Sequence, residues 1–75
     1  MIQDYLEKLK ENSVISDYYF TPLTDLGYDE EGDRLVIRTE AGYGTARVVE
    51  HLMNGKGFNM EYQECGYDVI EMGFE

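Results

Sequence analysis

The chain has little of most residue types that carry chemistry. Its seventy-five residues include one cysteine, one proline and one histidine. A single cysteine, Cys65, excludes an internal disulfide framework and points to a reducing cytosol. Bases are scarce: six Lys and Arg stand against sixteen Asp and Glu, a formal charge of −10. Such an excess repels nucleic-acid phosphates and anionic membranes, so direct binding to either is not expected. It favours solubility and a basic partner. No apolar run approaches the roughly 20 residues that span a bilayer, and no basic-then-apolar leader opens the sequence, so a cytoplasmic protein is expected. Hydrophobic content, at 43%, is ordinary and does not indicate disorder. The length accommodates one domain, 1–75, which buries only about 60% of its unfolded surface around a small core.

What is present is amphipathic pattern. At 100° per residue, Ala46, Val48, Val49, Leu52 and Met53 share one half of a wheel, and Arg47, Glu50 and His51 share the other. A strand would mix these sets, so Thr45–Met53 is read as a helix. Thr45 is its expected N-cap, and Asn54-Gly55 supplies the left-handed residue that ends it. The competing reading of Asn54-Gly55 is a β-hairpin turn.

The spacing predicts a first helix over Met1–Asn12. Ile2, Tyr5, Leu6 and Leu9 form its stripe, with Asp4, Glu7, Lys8 and Glu11 opposite, and Asn12-Ser13 ends it. Val14–Tyr28 is rich in aromatic and β-branched residues, but Pro22 makes it an edge strand or breaks it there. A turn through Glu31-Gly32, with Gly32 at positive φ, returns the chain as a strand over Arg34–Thr39. That strand places Leu35 and Ile37 on one face, with Leu26 and Tyr28 beside them, and Val36 and Arg38 on the other. Phe58–Gln63 and Tyr67–Phe74 alternate as two further strands. A three-residue bulged turn, Glu64-Cys65-Gly66, would pair Phe58 with Met72 and Met60 with Ile70, with Gly66 in the left-handed position. The expected architecture is α+β, helix–hairpin–helix–hairpin (αββαββ), with an antiparallel sheet of about four strands and two helices on one face.

Two acidic groups are candidate partner-binding surfaces. The first is Asp29, Glu30, Glu31 and Asp33, with Asp25 nearby. It fails the calcium-loop template, because Arg34 stands where the sixth-position glycine is required, and a solvated turn is the plainer reading. The second is Glu61, Glu64, Asp68 and Glu71, with Glu75 beyond. Lys56 is the last base, so the final hairpin carries negative charge only. Carboxylates at i and i+2 of a strand lie about 6.5–7 Å apart. That is near the phosphate spacing along one DNA strand, so a negative, aromatic-flanked sheet face can imitate nucleic acid. A solvated face that keeps a small protein soluble accounts for the same residues.

Seven tyrosines are available, and tyrosine suits both half-buried strands and interfaces. Tyr5, Tyr28 and Tyr62 are expected in the core. Of Tyr18 and Tyr19 one must point away from it. Tyr43 and Tyr67 are the expected contact tyrosines. His51 falls on the polar face of the second helix without a nucleophile beside it, and Cys65 reads as a turn residue or a partly buried small hydrophobe, so no catalytic residue is assigned. One Cys and one His do not make a zinc site, and Gly42-Tyr43-Gly44-Thr45 lacks the spacing and lysine of a phosphate loop. No metal or cofactor is expected.

In size, charge and mixed architecture the chain resembles the small acidic proteins that phages encode to block host defence nucleases, anti-CRISPR and anti-restriction proteins among them. That likeness of composition implies a non-enzymatic inhibitor acting as a nucleic-acid mimic on a basic protein surface, a nucleic-acid-binding protein among the candidates. The alternative is a self-associating structural or regulatory module, a homodimer completed along the edge at Tyr18–Thr21.

Overall fold

The computed structural model describes residues 2–27, 29, 32–40, 42–66 and 68–75, with the backbone alone at Tyr43. The described residues fold as a mixed α+β unit of two helices and a four-stranded antiparallel sheet. In chain order these are α1 (Ile2–Glu11), β1 (Asp17–Pro22), a 3-10 helix (Leu23–Leu26), β2 (Asp33–Thr39), α2 (Tyr43–Gly55), β3 (Met60–Cys65) and β4 (Ile70–Phe74). The strand order is β1-β2-β4-β3, so the two central strands come from different halves of the chain.

Helix α1 forms on the stripe its spacing predicts. Leu6 and Leu9 are buried, and Ile2 and Tyr5 pack against the core from the same side. It ends in a Schellman motif: the amide of Val14 donates to the Leu9 carbonyl at 2.9 Å and that of Ser13 to the Lys10 carbonyl at 3.1 Å. Ser13, at φ 59°, occupies the left-handed position. Helix α2 ends the same way. The amide of Phe58 donates to Met53 and that of Gly57 to Asn54, both at 3.0 Å, with Gly57 at φ 90°. The left-handed residue is therefore Gly57 rather than Asn54-Gly55, because the helix runs through Gly55 before it is capped. At its other end α2 begins at Tyr43 with Gly42 as N-cap, so Thr45 lies inside the first turn. The amides of Thr45 and Ala46 both donate to the Gly42 carbonyl. Ala46, Val49 and Met53 are buried, but Val48, expected with them, is 52% exposed. The apolar stripe is narrower than half a wheel.

Strand β1 pairs with β2 from Asp17↔Arg38 to Pro22↔Asp33. The connection is residues 23–32, not the two-residue Glu31-Gly32 turn. Pro22 stops the ladder, the chain coils as a 3-10 turn capped by Gly27 at φ 89°, and Leu23 N–H donates to the Gly32 carbonyl at 2.9 Å. Gly32 has φ 132°, as expected. Leu26 lies in the 3-10 helix, partly exposed, and not in line with Leu35 and Ile37. Tyr28 lies outside the described residues.

Strands β2 and β4 pair through Leu35↔Phe74, Ile37↔Met72 and Thr39↔Ile70. These residues, except Thr39, join Leu6, Leu9, Ile15, Ala46, Val49 and Met53 in one core cluster. Strands β3 and β4 pair through Met60↔Phe74, then Tyr62↔Gly73, Gln63↔Met72, Glu64↔Glu71 and Cys65↔Ile70, with a bulge between Met60 and Tyr62. The expected Met60–Ile70 and Phe58–Met72 pairs are not made. The loop spans residues 66–69, closed by Gly66 N–H donating to the Val69 carbonyl at 2.7 Å, and Gly66 is not at positive φ. The extra residue at Glu61 reverses every face that follows it, so Tyr62 leaves the core side that Met60 occupies.

Candidate functional site

The sheet face opposite the core is built from three rows of cross-strand neighbours. In the middle row Tyr19, Val36, Gly73 and Tyr62 are successive partners across all four strands. In the next row the partners are Asp17, Arg38, Glu71 and Glu64. On the other side Thr21 pairs with Arg34, and Arg34 reaches Glu61 at the bulge. A β-carbon on Gly73 would fall 2.6 Å from Tyr62 Cδ1 and Cζ, so the tyrosine ring rests on the bare backbone of β4. Tyr62 is consequently half-buried on the face it shares with the partly exposed Tyr19, not in the core.

The final hairpin is acidic throughout, but bases from β2 answer two of its carboxylates. Arg34 is 4% exposed, pairs with Glu61, and carries its guanidinium carbon 5.7 Å from the Tyr62 ring centroid. A buried guanidinium needs such a counter-charge to be tolerated. Arg38 Nε lies 3.1 Å from Glu71 Oε1, an ion pair whose N–H is not aligned for a hydrogen bond. Among the described residues no base lies within ion-pair distance of Glu64, which is exposed and directly opposite Glu71.

The electrostatics follow the geometry. Burial raises the Tyr62 phenol from its ordinary value, and Tyr19 and Glu71 beside it add to the shift. Burial likewise raises Tyr19, with Glu71 again contributing. Both rings therefore present neutral phenols. Tyr18, on the core side, donates its hydroxyl to Glu7 of α1 at 2.6 Å, and that bond raises its pKa. Asp17 is lowered, first by the Tyr18 amide that donates to it at 2.8 Å and then by Lys10.

The expected site residues are divided among different places. Glu61, Glu64 and Glu71 come together on this face. Asp68 is exposed in the β3–β4 loop, while Asp29 and Asp33 are exposed where the long connection meets β2. Glu30, Glu31 and Tyr67 lie outside the described residues, as does the side chain of Tyr43, although its backbone opens α2 rather than lying in a linker. Arg38, expected beside Val36 opposite Leu35 and Ile37, and Tyr19, one of the two tyrosines of which one must point away from the core, do lie on this face. Tyr62 and Arg34 were not expected there, nor Arg38 as the partner of Glu71. One signal was available: glycine within a strand, as at Gly73, marks a close approach by another group.

No family model, curated protein or solved structure matches the chain. Among the described residues no three His, Cys, Asp or Glu side chains are grouped to hold a metal ion, and no helix is long and apolar enough to cross a membrane. His51 is exposed on α2, and Cys65 is exposed as the last residue of β3 instead of lying in the turn.

Proposed function

We propose that the chain is a non-enzymatic binding protein whose core-distal sheet face docks on a basic surface of a partner protein, and that it inhibits the partner by occupying that surface. In this reading both helices of a helix–hairpin–helix–hairpin layout cover the face that bears Leu35 and Ile37. A surface that otherwise holds nucleic acid is the partner chemistry that suits a chain of −10 charge. The reading rests on one observation: Tyr19 and Tyr62, in one row with the buried Val36 and Gly73, line a cavity together with a carboxylate, Glu64, that among the described residues has no base within ion-pair distance. Aromatic rings with neutral hydroxyl tips supply contact area at low entropic cost, and the negative charge speeds encounter. The ion pairs at Glu61 and Glu71 leave Glu64 and the outlying acids as the main negative charge for a partner, with Glu71, partly neutralised by Arg38, directly beside Glu64. A free, exposed Cys65 suits a reducing cytoplasm.

The test is capture of partners from lysate at two salt concentrations, with wild type, Glu64→Lys, Tyr19→Ser and Lys8→Glu compared. Capture that weakens with salt, falls with the first two variants and survives the third supports the reading. Capture that is indifferent to Glu64→Lys and Tyr19→Ser overturns it.

One observation favours self-association as a second reading. Among the described residues strand β1 has a neighbour on one side only, and Tyr19 and Phe20, on its opposite faces, are 40% and 42% exposed. A second copy could extend the sheet there. Light scattering showing a concentration-dependent dimer supports it, and a monomer at high concentration removes it.

A further inference from the structure

Tyr19, Leu26, Tyr62, Glu64 and Glu71 line a shallow cavity of about 350 Å³ on the core-distal face. Its walls come from both edge strands, from β4 and from the 3-10 helix, so it exists only in the assembled sheet. The adjoining row of charges is incomplete. Asp17, Arg38, Glu71 and Glu64 run negative, positive, negative, negative across the four strands. Like charges directly opposite one another are unfavourable, and the cavity lies against that Glu71–Glu64 pair.

We propose that this cavity receives an arginine side chain of the partner, its guanidinium set against the Tyr19 and Tyr62 rings and bound by Glu64 together with Glu71. The assignment rests on the reading of this face as the docking surface and names the group that fills it. Both phenols stay neutral, so the walls offer aromatic faces and hydroxyls beside two acceptors. The fold already uses the same recognition once, where Arg34 combines the Tyr62 ring with the Glu61 carboxylate. Arginine fits better than lysine because its planar, weakly hydrated fork can stack on a ring and bridge two carboxylates, whereas an ammonium is a compact, strongly hydrated point charge.

The experiment is an NMR titration of the full chain with N-acetyl-arginine methylamide and, separately, N-acetyl-lysine methylamide. Saturable shifts at Tyr19, Tyr62 and Glu64 with the arginine compound, at least threefold weaker with the lysine compound, are expected. Glu64→Gln and, independently, Tyr19→Leu should weaken arginine binding at least fivefold, and Glu50→Gln on α2 should leave it unchanged. No saturable shift, equal affinity for both compounds, or affinity untouched by Glu64→Gln and Tyr19→Leu overturns the assignment. If these fail while capture of partners still responds to Glu64→Lys and Tyr19→Ser, the arginine assignment falls and the docking face stands. If capture is also indifferent, the docking face falls with it.

Discussion

The Tyr62 ring fills the space that a β-carbon on Gly73 would take, and this contact couples the two strands of the final hairpin on the face away from the core. Gly73→Ala should therefore cost about 1–3 kcal/mol, the range for overpacking a filled site. Denaturant unfolding measures it. In the Tyr62→Ala background the same substitution should cost much less, because the overlap is gone. Equal costs in both backgrounds would show that the ring is not the obstacle.

Arg34 and Glu61 form the second support of that face. Their side chains are 5% and 29% exposed, so removing the carboxylate leaves a guanidinium poorly solvated. Glu61→Ala is expected to destabilise by about 1–3 kcal/mol. Adding Arg34→Met should recover part of the loss. By contrast Lys10→Ala, which breaks a pair whose side chains are 46% and 54% exposed, should cost less than about 1 kcal/mol.

Two helices end on the same hydrogen-bonded cap, yet α1 places Ser13 where α2 places Gly57. A left-handed backbone strains a residue with a β-carbon, while glycine gives up extra entropy in the unfolded chain. The balance favours Ser13→Gly by about 0.5–1 kcal/mol. For a domain of this size that is a Tm higher by about 2–8 °C. A lower Tm would contradict the cap geometry.

The pH dependence has two sides. Tyr18, Tyr19 and Tyr62 are raised in the folded chain, so their contribution to stability is present below the ordinary tyrosine pKa and is lost as pH rises through the folded values. Asp17 is lowered, so its contribution is present above the ordinary carboxylate pKa and is lost as pH falls through the folded value. Ultraviolet titration should show these phenols ionising later than in denaturant, and Glu71→Gln should bring Tyr19 and Tyr62 part of the way back. Unchanged titration in Glu71→Gln would remove that carboxylate as a cause.

Local periodicity made much of the fold legible. The stripe of α1, its stop at Asn12-Ser13 and the alternation of Leu35 and Ile37 against Val36 and Arg38 each depend on neighbours within a few residues. Pro22 announced the break that became the 3-10 turn. The bulge at Glu61 was not legible, because one inserted residue changes no composition and yet sends Tyr62 to the other face. The neutralising arginines were hidden for a different reason. Arg34 and Arg38 meet Glu61 of β3 and Glu71 of β4 only because β4 pairs with β2 and brings β3 in behind it, an arrangement of distant parts of the chain. The acids of the face could be named from sequence, but their partners required the sheet order.

The most direct measurement is an NMR footprint of a captured, salt-sensitive partner on the labelled chain. Shifts and line broadening concentrated at Tyr19, Val36, Tyr62, Glu64 and Gly73 are predicted. A footprint centred instead on the exposed side of α2, at Arg47, Val48 and His51, with the tyrosine row undisturbed, would contradict the account.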